Sequence, residues 1–131
     1  MNLLRLRAGE DGESHFEELV LPEEHVERRV TSTPIPAVQF TIGESGVQEP
    51  LGWHHAPRRQ LVVVLSGAVE VEVGDGTRKR FEPGDCFVAD DLTGRGHLTR
   101  DQEGPMRLLY IHLPDDLDFS AWQPQFTRTS T

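Results

Sequence analysis

Residues 68–73 alternate with a period of two, and no other feature constrains the fold of this chain as much. Val69, Val71 and Val73 fall on one face and Glu70 and Glu72 on the other, the pattern of a strand with one buried and one wet side. Residues 61–65 just before them form a continuous aliphatic run, closed by a Ser66-Gly67 turn signal. Gly74-Asp75-Gly76 supplies the positive φ angles that a tight hairpin needs. The chain then returns over 78–81, turns at Pro83-Gly84-Asp85 and forms a further short strand over 86–89. Residues 37–42, 97–100 and 106–113 read as more short strands, and this density of strands and turns predicts an all-β sandwich or barrel.

The 131 residues suffice for one core, and neither an internal repeat nor a second domain is evident. We read 1–131 as one domain, with a barrel over about 35–113, N-terminal strands and a loop over 1–34, and a tail over 114–131. Residues 15–21 suit either an edge strand or a short helix, and Asp115-Asp116 is placed to cap a helical turn over 117–122. A formal net charge of −9 repels phosphate backbones and anionic lipid, so neither nucleic acid nor a membrane is an expected partner. No signal-peptide pattern precedes the first acidic residues and no apolar stretch approaches a membrane span, so a cytoplasmic location is expected. Cys86 is the only cysteine, which excludes a disulfide framework or a thiolate metal cage; it reads as core packing.

The stretch Gly52-Trp-His-His-Ala-Pro-Arg-Arg-Gln-Leu-Val-Val-Val-Leu-Ser-Gly67 resembles the first cupin motif. There Gln60 stands where the family usually has glutamate, Gly67 keeps the family spacing, and His55 and Trp53 occupy the two positions of the histidine pair. Phe-Glu-Pro-Gly-Asp85 and Gly94-Arg-Gly-His97 resemble the second motif, across a loop two residues longer than the usual pattern. Gly9 to Phe16, Trp53 to Gln60 and Thr93 to His97 further resemble a group of small bacterial cupins. The resemblance implies a double-stranded β-helix, that is, a jelly-roll barrel whose interior holds one small ligand.

Cupins that bind metal typically offer two or three imidazoles and a carboxylate, so the resemblance implies a divalent transition metal such as Fe, Mn, Ni or Zn. The candidate ligands are His54, His55, Gln60 and His97, with a neutral amide in place of the carboxylate. His54 and His55 point to opposite faces of an extended strand. General cupin spacing selects His55, whereas the closer group selects His54, which we favour. The other reading is a metal-free, hydrogen-bonded polar patch within the barrel.

Arg58 and Arg59 precede the pocket strand and either clamp a ligand carboxylate or phosphate or pair with Glu70 and Glu72. Asp90 and Asp91 either serve His97 as base or tautomer anchor, or simply cap a turn. His15 and Tyr110 are further pocket candidates, with His112 on the face of Tyr110, while His25 lies among charges and reads as solvated. Two functions fit these residues. One is a metal-assisted enzyme acting on a small anionic organic molecule; the other is a metal-free pocket that binds a metabolite as sensor or carrier, or moves a proton through His97. Val62 and Val64 are expected inside the barrel with Gln60, and Leu61, Val63 and Leu65 outside it. Covering that outer run, together with the cupin resemblance, predicts a homodimer.

Overall fold

The computed structural model describes residues 1–45 and 51–123. Its strands are β1 (Asn2–Ala8), β2 (Ser14–Val20), β3 (Glu23–Val26), β4 (Arg29–Ser32), β5 (Gln39–Ser45), β6 (Leu51–His54), β7 (Gln60–Glu72), β8 (Arg78–Phe81), β9 (Cys86–Asp90) and β10 (His97–His112). One 3-10 turn, Ser120–Trp122, is the only helical element described. The main sheet runs β2-β1-β9-β7-β10-β5, with β8 added to β7 and β6 to β10, while β3 and β4 form a separate ribbon. All pairs are antiparallel except β1 with β9. The whole is a jelly-roll barrel.

β7 organises the barrel. Gln60, Val62 and Val64 are buried on its inner face, and Leu61, Val63 and Leu65 alternate away from it. The Ser66-Gly67 pair does not reverse the chain, as its turn chemistry suggests; β7 continues through it for 13 residues. Gly67 holds φ at +75°, and a Cβ there would lie 2.5 Å from the Glu103 carbonyl oxygen. The left-handed residue therefore serves a bend against β10 rather than a hairpin. Likewise β10 is one strand of 16 residues with register shifts, where two separate strands are expected. The Gly74-Asp75-Gly76 hairpin forms as read, with the Thr77 amide donating to Asp75 Oδ1 at 2.9 Å.

Two apolar layers follow from the alternation. The inner one gathers Leu6, Val62, Val64, Val71, Phe87 and Leu108 among others, with Phe16 and Tyr110 packed against it. The outer one gathers Leu3, Leu19, Val88 and Leu113 beneath Phe119 and Trp122, with Leu61, Cys86 and Ile111 at its edge. Burial of each such aliphatic side chain contributes roughly 1.5 to 3 kcal/mol. Burial also pushes the Cys86 thiol pKa up, with Asp85 adding to the effect. Residues 15–21 lie largely in the edge strand β2 and not in a helix. The C-terminal turn is shorter than expected, and Asp118 rather than Asp115 or Asp116 accepts the Ser120 amide, at 2.9 Å.

Candidate functional site

Three segments meet at one end of the barrel: the end of β6, the chain just after β9, and the start of β10. The Ala56 amide donates to the Asp91 carbonyl at 2.9 Å, and His54 stands directly opposite His97 across the β6–β10 pair. Two glycines make this approach possible. Gly94 and Gly96 hold φ at +82° and +84°, and a Cβ on Gly96 would fall 1.8 Å from the His54 carbonyl oxygen. No side chain fits there, so the Gly-x-Gly-His spacing has a steric cause.

His97 is 5% exposed, and its Nδ1 lies 2.5 Å from Oδ2 of the fully buried Asp91. Ser14, also buried, donates its hydroxyl to the same oxygen at 2.6 Å. The other oxygen, Asp91 Oδ1, is buried with no hydrogen-bond partner among the described residues. Because a carboxylate oxygen accepts, His97 carries a hydrogen on Nδ1, which leaves Nε2 as the ring nitrogen not engaged by Asp91. His54 is set the same way by another partner: its Nδ1 donates to the Gly52 carbonyl at 2.8 Å. The two rings lie 4.5 Å apart, centre to centre, tilted by 54°.

Gln60 lies on the inner face, 7% exposed, opposite Ala89 on one side and His112 on the other. Asp91 follows Ala89 by two residues, so Gln60, His112 and Asp91 share this end of the sheet. Tyr110 is half-buried against the inner core. Arg58 Nη1 sits 2.9 Å from His112 Nε2. Two clefts of about 410 and 320 Å³ open near Leu4, Glu18 and Lys79, and His54, Gln60 and His97 line neither.

Four of the candidate residues lie elsewhere. His55 is exposed, with its Nδ1 donating to the Ala56 carbonyl at 3.1 Å. His15 faces away from Ser14 and pairs with Asp11, whose carboxyl is held below the usual range chiefly by this hydrogen bond. Asp90 is on the outer face, where Arg5 donates to Oδ2 at 2.7 and 3.0 Å and Arg59 to Oδ1 at 2.8 Å. Arg59 also donates to the Leu117 carbonyl at 2.8 Å, and both guanidinium groups stack on Phe119, so Arg59 and Asp90 are engaged on the outer face. Glu70 and Glu72 pair with Arg78 and Arg100, not with Arg58 or Arg59. Ser14 is the site residue that the sequence reading missed. Its period-two relation to the apolar Phe16 is the signal that places it on the inner face, and His15 falls on the other.

A metal centre is tested by the donors present. Among the described residues no group of three or more His, Cys, Asp or Glu is placed to hold an ion. With their Nδ1 atoms engaged by Gly52 and Asp91, His54 and His97 offer Nε2 as the nitrogen for a cation, and imidazole suits a borderline divalent ion. Two imidazoles are fewer protein donors than such an ion ordinarily takes.

A jelly-roll barrel with a polar, imidazole-bearing end belongs to the class of β-barrels that enclose small ligands. The family model of the cupin domain matches residues 38–112, more than half of the 131 residues, and the chain belongs to the cupin family. Among solved structures it is similar to protein NMB1881 from Neisseria meningitidis, at 19% identity and a TM-score of 0.45, over 71% of this chain and 84% of that one. It is also similar to the conserved SPY1581 protein of unknown function from Streptococcus pyogenes, at 18% identity and a TM-score of 0.41, over 73% of this chain and 96% of that one. Likenesses this distant carry no argument about function. No curated protein matches the chain. No helix among the described residues is long and apolar enough to cross a membrane.

Proposed function

We propose that this cupin binds a small anionic organic molecule at the polar end of its barrel, with His97 as the central contact. The observation that carries this reading is the buried Asp91 carboxylate behind His97, 2.5 Å from Nδ1. It fixes the ring and directs Nε2 toward the ligand, with which that nitrogen exchanges a hydrogen bond. Polar groups as deeply buried as Asp91 and His97 need a reason, and a ligand supplies one. Replacing His97 by alanine should abolish ligand-induced thermal shifts across a fragment set of small organic acids, while the melting temperature stays within a few degrees. Full retention of those shifts would put the site elsewhere.

A second reading is favoured by the two Nδ1-anchored imidazoles, which leave paired Nε2 donors on one face. Here His54, His97 and Gln60 hold a divalent transition metal (Fe, Mn, Ni or Zn). Such an ion, when bound, acts as a Lewis acid toward a ligand oxygen. The protein's own part is to fix both rings and to leave the remaining positions to water or ligand. Elemental analysis of untagged protein decides between the readings: about one equivalent of metal, lost in His97→Ala, supports the metal, and a metal-free protein that still binds organic acids supports the first.

The chain also pairs with a second copy of itself in this proposal. Val38, Phe40 and Ile42 are 66, 65 and 51% exposed on the outer face of the edge strand β5. Ile42 lies beside Leu109 and that residue beside Val63, so one apolar surface crosses three strands. At its rim Glu44 and Arg107 neutralise each other at 3.7 Å. In a chain of net charge −9 this is where two copies approach with least repulsion.

A further inference from the structure

We infer that Arg58 receives a carboxylate group of the pocket ligand and that His112 holds it in position. The inference rests on the ligand-binding role proposed above and adds where the charge is bound. In this acidic chain the guanidinium groups of Arg5, Arg7, Arg59, Arg78, Arg80, Arg95, Arg100 and Arg107 each lie within 4.0 Å of an Asp or Glu oxygen. Arg28 and Arg29, exposed at the separate β3–β4 ribbon, and Arg58 have no such partner among the described residues. Of these three, Arg58 has a polar side-chain contact, the imidazole of His112 at 2.9 Å.

The chemistry of that contact has a single direction. A guanidinium only donates, so His112 Nε2 accepts and the ring hydrogen sits on Nδ1. The Gln39 amide nitrogen lies 3.0 Å from Nδ1, so accepting that hydrogen requires the amide turned about, with its oxygen toward the ring. His112 is 6% exposed and thus rigidly held. Arg58 is therefore oriented by a neutral ring, which fixes its direction but leaves its charge uncompensated. His112 stands opposite Gln60, at the end of β7 where Asp91 follows Ala89 on the other neighbouring strand. An exposed, pre-oriented guanidinium with unused N–H donors at that rim matches the planar, two-oxygen geometry of a carboxylate. Arg59, one residue on, is unavailable because Asp90 and the Leu117 carbonyl occupy it.

The test uses benzoate, its neutral isostere benzamide, and inorganic phosphate, titrated into the full chain and followed by NMR of the arginine side-chain N–H signals. Benzoate should shift the Arg58 signal and bind with a millimolar dissociation constant, as expected for a fragment of this size. Arg58→Met should weaken benzoate at least about tenfold (about 1.4 kcal/mol) and leave benzamide unchanged, with Arg58→Lys in between. His112→Leu should weaken benzoate although Arg58 is intact, and His112→Gln, which restores an acceptor, should recover most of the loss. That recovery separates positioning from mere structure, and equal melting temperatures of the two His112 variants make the comparison valid. Benzoate binding that survives Arg58→Met but fails in His97→Ala overturns the inference and leaves the pocket reading standing. Arg58-dependent binding of phosphate without benzoate overturns the carboxylate assignment. Wild type that takes up neither anion nor the amide also overturns it, while binding of other neutral fragments through His97 would still support the pocket.

Discussion

Asp90 and Asp91 are chain neighbours on opposite faces of the sheet, and their surroundings differ completely. Asp90 faces outward and receives hydrogen bonds from two arginines, at 2.7 to 3.0 Å, with both of its oxygens matched. The same arginines stack on Phe119, and Arg59 holds the Leu117 carbonyl, so Asp90 anchors the C-terminal segment to the barrel. Asp91 faces inward and faces no guanidinium. Its Oδ2 takes Ser14 and His97, and its Oδ1 has no described partner. Charge matched by charge on both oxygens marks a structural clamp. A buried carboxylate left half-satisfied behind an imidazole is the feature on which the proposed ligand site rests.

Several substitutions would break or sharpen this contrast. Asp90→Ala should have the largest effect on stability, because two guanidinium groups, 17 and 15% exposed, lose their shared carboxylate and keep Glu17 and the Leu117 carbonyl respectively. The expected loss is about 3 to 5 kcal/mol, read as a fall in the denaturant midpoint, with fragment binding at His97 unchanged in the folded protein. A midpoint like that of wild type would remove the clamp from the argument.

Asp91→Asn should cost less, about 1 to 3 kcal/mol, and act mainly on the site. An amide in place of the carboxylate weakens the hold on His97 Nδ1, so the ring redistributes its hydrogen. Long-range 15N NMR should show His97 as the Nδ1–H tautomer in wild type and as a mixture in the variant, with His54 still Nδ1–H. An unaltered His97 tautomer would mean that Asp91 does not set it.

The smallest expected change in the stability of the fold is at the exposed outer face. Phe40→Glu with Ile42→Glu should shift the secondary structure's melting by little, since both side chains are more than half exposed. Light scattering at tens of micromolar (roughly a thousandfold above a tight dimer's dissociation constant) should nevertheless give a dimer for wild type and a monomer for the variant. A wild-type monomer under those conditions would count against the pairing.

Much of this molecule is legible in its residues. The valine–glutamate alternation of 68–73 forms the strand it describes, the Gly74-Asp75-Gly76 hairpin closes where its φ demands place it, and the Gly-x-Gly before His97 exists because nothing larger clears the His54 backbone. Local pattern sets which residues share a face, since i and i+2 always do. It does not say which face is inside. Register alone decided that Asp91 rather than Asp90, Arg58 rather than Arg59, and Ser14 rather than His15 stand at this end of the barrel. Register also turned the Ser66-Gly67 signal into a bend, because the neighbouring strand β10 follows β7 through it. The Ser14–Asp91 contact spans 77 positions, so no window on the sequence contains both partners. Such pairs arise only when strand pairing brings distant segments together, and the pairing is set by the summed burial of both apolar layers rather than by any one motif.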